Sequence, residues 1–336
     1  MKTLKNSLVL LILLACTLAA ETRYAGSVLE LGVGARALAL GEAAVTLYGD
    51  VSNFYFNPAA VAYIDKPVVN LMYAPTFGGF SSPLAHFNYI GVAMPLPRGA
   101  IIAVNWTRFA VDDIPIYSSL GGTSFYDRLQ NPQLRPDGTP QGYFKDTEDV
   151  YYFTFAKLFQ TEIPLGWLFI DLPVEFPVGI NFKMIRQSLH SSSASGMGVD
   201  AGFMAKINLG TFLDSRLLGD LMLGYSVTDL TRTTLLWNTR HEDRIERSQR
   251  IGLSYQQVLR NNKADIKFYY TLWEKYDVEH LFGAELSLYS AALRIGKNRA
   301  GLTAGAGIKL WRLNVDYAFV SFELDNSHRI SCGFSF

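Results

Sequence analysis

A glycine-rich hexapeptide near the N-terminus is the first stretch whose residue types could support chemistry. Gly32-Val33-Gly34-Ala35-Arg36-Ala37 matches the dinucleotide-binding pattern G-x-G-x-x-A, in which glycines let a pyrophosphate approach the backbone. The pattern has this meaning only inside a strand-helix-strand unit. Neither a preceding strand nor a later alternation of strands and helices is indicated, so we do not expect nucleotide binding.

Other catalytic signatures are sparse. The patterns G-x-S-x-G, H-E-x-x-H and C-x-x-C do not occur in the chain. We therefore expect no catalytic residues, no metal and no cofactor. An esterase-like role for serine and histidine side chains in loops is the enzymatic alternative.

The N-terminus reads as an export signal. Lys2 and Lys5 precede the apolar run 8–15, and small residues follow at 17–20, which predicts a signal peptide over residues 1–20. That run is too short to span a bilayer. Cys16 ends a tetrapeptide similar to a lipoprotein cleavage box, so lipidation there is an alternative. Ordinary cleavage leaves Cys332 as the only cysteine, which excludes an intrachain disulfide.

The composition favours a membrane barrel. Only 18% of residues are charged, against about 25% in ordinary soluble proteins. Yet no later segment has the 18 or so consecutive apolar residues of a transmembrane helix. Closed β-barrels are the other structure that satisfies the backbone within lipid. The 30 basic and 30 acidic residues balance, so we expect no nucleic acid partner.

Alternation of apolar and polar residues supports this interpretation. Residues 312–320 and 328–336 each place apolar side chains on one face and polar or small ones on the other. The last strand ends in Phe334 and Phe336, which resembles the assembly signal of bacterial outer-membrane barrels. The same alternation predicts fourteen antiparallel strands, near 67–75, 86–95, 100–110, 149–159, 176–188, 198–208, 219–228, 248–257, 263–272, 280–287, 290–295, 301–309, 312–321 and 328–336.

The connections fit a barrel with a periplasmic C-terminus. The long polar connections 111–148, 189–197, 229–247 and 273–279 then fall outside the cell, and the turns on the periplasmic side are mostly short. Residues 161–175 break this rule, since they form a long apolar connection on the periplasmic side. We expect either a short interfacial helix or a misassigned strand pair there.

Two features of the outer end have open interpretations. The histidines fall there and could bind a transition metal, although the favoured interpretation is that histidine suits a wet polar rim. Residues 238–250 interleave arginines with acidic residues, as in a solvated loop or a surface for a partner. The histidines are His86, His190, His241, His280 and His328.

Residues 21–66 are predicted to form a small helical plug inside the barrel. About eight strands is the limit for a lumen filled by its own side chains, so fourteen leave space. The Ala-rich stretch 35–47 favours a helix that can approach the wall closely. Asn57 can cap the next turn, with Pro58 at its first position. The alternative is an N-terminal helix packed outside a soluble sheet.

The plug segment contains four short motifs, at 34–37, 41–43, 50–52 and 57–59. Together they resemble the N-terminal signature of the PorV/PorQ family, within the wider FadL-like group of outer-membrane proteins. The resemblance covers residues 26–64 and extends more weakly over the strands. Where the family more often has Met-Gly-Gly, this chain has Leu40-Gly41-Glu42. A glutamate inside a plug requires a partner such as Arg36 or a base of the lumen wall. The motif residues are Gly34, Arg36, Gly41, Glu42, Asp50, Asn57, Pro58 and Ala59.

The resemblance implies one of two functions in the outer membrane of a Gram-negative bacterium. FadL-like barrels pass long-chain fatty acids and other hydrophobic small molecules, by a route formed by the plug and a break in the wall. PorV and PorQ serve type IX secretion, with a secreted protein or the secretion machinery as partner. We therefore expect a signal peptide at 1–20, a plug at 21–66 and a transmembrane barrel at 67–336, surrounded by outer-membrane lipid.

Overall fold

The sheet of the protein contains both long and very short strands. The computed structural model describes residues 25–77, 82–122, 124–135, 138–166, 170–213, 215, 218–259, 264–321 and 326–336, so the predicted signal peptide lies outside it. The strands are β1 (Val68–Thr76), β2 (Ala85–Pro95), β3 (Ala100–Ile116), β4 (Gly142–Leu165), β5 (Ile170–Leu189), β6 (Ser192–Asn208), β7 (Asp220–Thr228), β8 (Thr234–Trp237), β9 (Glu242–Arg244), β10 (Ser248–Leu259), β11 (Ala264–Glu274), β12 (Val278–Leu288), β13 (Ala291–Lys297), β14 (Leu302–Leu310), β15 (Leu313–Ser321) and β16 (Asn326–Ser335).

The helices are all short. Three of those in the described part of the chain are α-helices, namely α1 (Ala35–Ala39), α2 (Phe125–Gln130) and α3 (Leu209–Phe212). No helix among the described residues is long and apolar enough to cross a membrane. The 3₁₀-helices cover Ser27–Glu30, Val51–Tyr55, Pro58–Tyr63, Pro97–Gly99 and Pro132–Leu134.

Fourteen strands close into one antiparallel barrel, which confirms the predicted number. Neighbouring strands pair in sequence, β5 pairs with β6, and β1 pairs with β16, so the ring has no free edge. The remaining two strands, β8 and β9, form a hairpin within the connection from β7 to β10. Most predicted strand ends agree with the structure to within about three residues.

The two faces of the wall have the polarity of a membrane protein. On β12 the outward Phe282 is 47% exposed, whereas the inward Glu285 is 1% exposed. The last two strands show the predicted alternation, with Ile330 exposed and Ser331 buried on β16. An apolar outer band and a polar interior are the signature of a barrel in lipid.

Connections of different length separate the two barrel ends. At the end that carries Phe336, called the turn end, short connections such as 289–290 and 311–312 join the strands. The opposite end, called the loop end, carries the long connections 117–141 and 229–247. This matches the predicted arrangement of short and long connections.

Strands β3 to β6 extend beyond the rest of the wall, which corrects the predicted loops. The β4–β5 ladder continues to Leu165 and Ile170, so the described residues on both sides of this connection belong to the strand pair, and not to an interfacial helix. At the loop end the same two strands and β6 continue into the expected loop 189–197, leaving a two-residue turn. The predicted strands are shorter because 9–11 residues are enough to cross a bilayer, whereas these strands continue beyond it.

Candidate functional site: the plugged lumen

The segment that precedes β1 lies inside the barrel and contacts opposite sides of the wall. Helix α1 packs against β13 to β16, the 3₁₀-helix Val51–Tyr55 against β1 and β2, and the 3₁₀-helix Pro58–Tyr63 against β3 to β6. Nearly all of its side chains are buried, including Leu38, Phe54 and Phe56. Residues 25–64, called the plug from here on, therefore block the lumen and are not packed outside a sheet.

The plug contains less helix than its Ala-rich composition favours. Helix α1 has five residues and ends where Gly41 and Glu42 both adopt positive φ angles, of 66° and 62°. A Cβ atom on Gly41 would lie 2.5 Å from the backbone of Lys297 in the wall. The chain turns away here because the wall is in contact, so tertiary packing overrides the helix propensity.

Arg36 anchors α1 to the wall through Glu285 on β12. Its Nη2 and Nε atoms donate to the two carboxylate oxygens over 2.7 and 2.9 Å, and Nη1 donates to the Tyr48 carbonyl. Arg294 also donates to Glu285 over 2.6 Å, and it bonds Asp316 at the same distance. The bidentate ion pair between Arg36 and Glu285 fixes both the position and the orientation of the helix.

Glu42 lies within electrostatic reach of three arginines, and Arg36 pairs with Glu285 instead. The charged groups that act on it are the guanidinium groups of Arg250, Arg299 and Arg329, together with the carboxylate of Glu30. Burial raises the pKa of Glu42, and the three arginines oppose that rise. Glu42 thus places a carboxylate of the plug near a basic part of the barrel.

Asp50 organises the middle of the plug. Its carboxylate accepts hydrogen bonds from the amide and hydroxyl of Ser52, both over 2.9 Å, and thereby caps the helix Val51–Tyr55. Asn70 of β1 donates to the same carboxylate. Burial raises the pKa of Asp50. Gly34 lies against this turn, where a Cβ atom would lie 2.2 Å from the Ser52 hydroxyl.

Asn57 caps the helix Pro58–Tyr63 in the geometry that the sequence predicts. Its side chain accepts from the Ala59 amide over 3.0 Å, and Pro58 occupies the first helical position. The amide nitrogen donates to the Val45 carbonyl over 2.8 Å and to the Phe203 carbonyl of β6 over 3.3 Å. Asn57 thus joins two parts of the plug to the wall.

Replacing Asn57 with Ala should loosen this side of the plug. Loss of the cap alone costs about 1 kcal/mol, and the two carbonyls also lose their donor. We expect single-channel conductance in planar bilayers to rise, with open events roughly tenfold more frequent. The control is Asn314→Ala, since Asn314 also faces the lumen but forms no hydrogen bond to the plug among the described residues. Equal conductance of the two variants would contradict the anchoring role.

Sequence reasoning missed a second ionic anchor at the loop end. Glu30 accepts a hydrogen bond from Lys275 over 2.6 Å and another from Arg299 over 2.9 Å. Lys275 follows Glu30 by 245 positions in the sequence and Arg299 follows it by 269, so no local pattern links them. Burial acts to raise the pKa of Glu30, but Lys275 and Arg299 outweigh it and hold the pKa below its usual value.

This anchor predicts a pH dependence. Because the pKa of Glu30 is lowered in the folded protein, the contribution of the anchor is complete above the ordinary glutamate pKa of about 4.3 and is lost as pH falls through the lowered value. Hydrogen-exchange protection of residues 27–31 should therefore be constant from about pH 7 to 5 and fall in stronger acid. Glu30→Gln should show low protection throughout. A variant that keeps the wild-type pH dependence would assign it to another group.

A buried polar network on β5 and β6 also escaped prediction. Lys183 pairs with Asp200 over 2.7 Å and with Asp229 over 2.9 Å, and all three side chains are almost fully buried. Asn181 beside it donates to the Phe54 carbonyl of the plug over 3.1 Å. The only sequence signal was an inward polar position every second residue. Pairing between strands was needed to identify the partners.

The C-terminal aromatic residues lie on the outer surface at the turn end. The rings of Phe334 and Phe336 are 5.1 Å apart and nearly perpendicular. The Phe336 amide donates to the Pro67 carbonyl over 2.9 Å, next to the start of β1. Their role as an assembly signal remains a prediction.

The histidines lie at the loop end, as predicted, but apart from one another. His280 bonds the Tyr270 hydroxyl over 2.8 Å, His328 bonds that of Tyr317 over 2.7 Å, and both pairs face outward. The described part of the chain contains no group of three or more His, Cys, Asp or Glu side chains that could hold a metal. Tyrosine and histidine at this height resemble the aromatic girdle at the rim of a membrane barrel.

The charged segment 238–250 is divided between two environments. Arg240 and Glu242 belong to the exposed hairpin around β8 and β9. Arg250 is instead an inward residue of β10, buried with its guanidinium 4.7 Å from the Trp273 ring centre. Side chains of β10, which begins at Ser248, point alternately into the lumen and toward the outside, and Arg250 is one of the inward ones.

Comparison with known proteins identifies the fold. No family model matches the sequence, and no significant relative was found among curated proteins. The toluene transporter TodX of Pseudomonas putida superposes with a TM-score of 0.51 at 10% identity, over 91% of this chain and 99% of that one. The toluene transporter TbuX of Ralstonia pickettii gives a TM-score of 0.46 at 11% identity, over 91% and 98%. The chain therefore has the fold of a membrane β-barrel, and its own N-terminal segment lies inside the lumen.

Proposed function

We propose that this protein is an outer-membrane channel for small hydrophobic molecules and that the plug is its gate. The observation that carries the proposal is the plug itself, which blocks a fourteen-stranded lumen but is tied to the wall by individual polar contacts. The fold shared with a toluene transporter supports hydrophobic cargo. Export by a signal peptide at residues 1–20 is part of the proposal.

The contacts between plug and wall suit a movable element. Ion pairs such as Arg36 with Glu285 define one position of the plug but add little net stability, since each charge is desolvated when the pair forms. The plug surface itself is rich in Ala, Val and Phe. A small displacement would therefore exchange polar contacts for an apolar lining, along which a hydrophobic molecule can pass.

Uptake into whole cells tests this function. A Gram-negative host without its own hydrophobic-compound porin would express the chain, and entry of radiolabelled toluene and oleate would be measured separately. We expect faster uptake of at least one compound than with an empty vector, and still faster uptake when the plug is loosened by Asn57→Ala. Rates equal to the empty vector for both compounds, with the barrel present in the outer membrane, would refute the function.

A second candidate function is docking of a protein, as the PorV/PorQ resemblance implies. Its support is the hairpin that β4 and β5 form at the turn end. The pairing of β3 with β4 ends at Lys157, but the β4–β5 ladder continues for eight more residue pairs. The hairpin therefore projects about 25 Å beyond β3. Phe159 and Ile163 are exposed along it. Mass spectrometry of the purified barrel separates the two functions, because a co-purified secreted protein supports docking and co-purified fatty acid supports transport.

A further inference from the structure

A large apolar groove lies on the outside of the barrel, away from the plugged lumen. It has a volume of about 450 Å³ and runs over strands β10 to β14. The side chains that form its rim point toward lipid, and its surface is almost entirely apolar. The outward residues along it are Leu253, Tyr255, Phe268, Tyr270, Phe282, Ile295, Lys297 and Leu302.

The groove exists because the wall is thin at this place. Ala284 stands between Phe268 and Ile295 in adjacent strands, so a methyl group separates two large side chains. Gly283 and Gly296 lie beside it and have no side chain. On the inner side these glycines accommodate the plug, since a Cβ atom on either would lie within 2.6 Å of the plug backbone.

The groove is separate from the lumen. Beneath the groove the strands are paired without interruption. Tyr269 of β11 pairs with Gly283 of β12, which in turn pairs with Gly296 of β13. No gap in the sheet therefore connects it with the plug. A molecule bound in the groove would lie in the membrane, against the outer surface of the wall.

Lys297 gives one end of the groove a positive charge. It is exposed on the outer face, at the last position of β13, and its strand partners are the apolar Phe282 and Leu302. It forms no ion pair among the described residues. A lysine facing lipid is costly in the bilayer interior but tolerated near the interface, where its amine can reach a phosphate. The hydrogen-bonded Tyr270 and His280 mark that interface.

We propose that the groove binds one anionic, phosphate-bearing lipid of the surrounding membrane, with an acyl chain over Ala284 and the phosphate at Lys297. The charge lies at the loop end and the apolar surface extends from it toward the membrane centre, which is the order of groups in such a lipid. The site is independent of the transport proposed above. It places a fixed lipid against the part of the wall that supports α1.

Native mass spectrometry tests this site. The detergent-purified barrel would be mixed with dioleoyl phosphatidylglycerol or with dioleoylglycerol, which has the same chains without the phosphate. We expect one phosphatidylglycerol to be retained and at least fivefold less dioleoylglycerol. Ala284→Phe, which fills the groove, and Lys297→Gln, which removes the charge, should each reduce phosphatidylglycerol retention at least fivefold.

Matched controls keep the site falsifiable. Val104→Phe places the same aromatic side chain on the lipid face of β3, and Lys157→Gln removes an outward lysine of β4, so both should retain the lipid as wild type does. A heat-dependent gel shift would show that each variant is folded; if Ala284→Phe fails to fold, Lys297→Gln decides alone. Equal retention of the two lipids, or equal losses in the control and groove variants, would overturn the proposal. Oleate uptake is measured separately, so either proposal can fail alone.

Discussion

Glu285→Gln is expected to release the plug and convert the barrel to a conducting state. Glu285 accepts from Arg36 and Arg294 and lies 3.4 Å from Lys267, and its side chain is 2% exposed. The substitution preserves shape but removes the negative charge that the three cations share. Leaving buried charges uncompensated costs roughly 3–5 kcal/mol, which would shift the plug equilibrium by about a hundredfold or more.

Single-channel recording and hydrogen exchange measure this release. We expect long-lived open events and loss of protection over residues 35–39, while the strands remain protected. Glu279→Gln is the matched control, because Glu279 faces the lumen on the same strand and forms no ion pair among the described residues. If Glu285→Gln conducts no more than this control, the plug is held by packing and the ionic anchor is dispensable.

Much of the fold was predictable because each strand reports its own orientation. One residue in two faces lipid, so alternation in a stretch such as 313–321 identifies both the strand and its outward side. The lengths of β4 and β5 were not predictable in this way. Their ladder continues past the membrane, where the outward positions are no longer required to be apolar and the pattern loses its meaning.

The functional site was predictable only where it depends on local geometry. Asn57 and Pro58 predict a helix start, because an N-cap and a proline at the first helical position both depend only on residues within three positions in the sequence. The partner of Arg36 could not be predicted, since Glu285 is 249 positions away and any inward carboxylate was possible. The same applies to Glu30 and Lys275, which pair only after the barrel has closed.

Gly296→Ala is expected to displace α1 while leaving the barrel intact. A Cβ atom at this position would lie 2.2 Å from the Gly41 amide nitrogen and 2.3 Å from the Leu40 carbonyl carbon, distances that real Cβ atoms do not show. Both atoms are plug backbone, so no side-chain rotation can relieve the overlap. The strand itself gains from the change, because glycine is unfavourable inside a β-strand.

The plug must therefore move or the wall must bend, and the two responses differ in experiment. If the plug moves, conductance rises and residues 35–42 lose hydrogen-exchange protection, while the gel shift of the folded barrel is unchanged; this is the result we expect. If the wall bends, the protection lost is in β12 to β14. Gly333→Ala provides the control, since its nearest neighbour, the Asn70 side chain, would lie at an ordinary 3.7 Å. A Gly296→Ala barrel with wild-type conductance and protection would show that the wall and plug are not in contact at this glycine, and it would remove the structural reason for the thin wall under the outer groove.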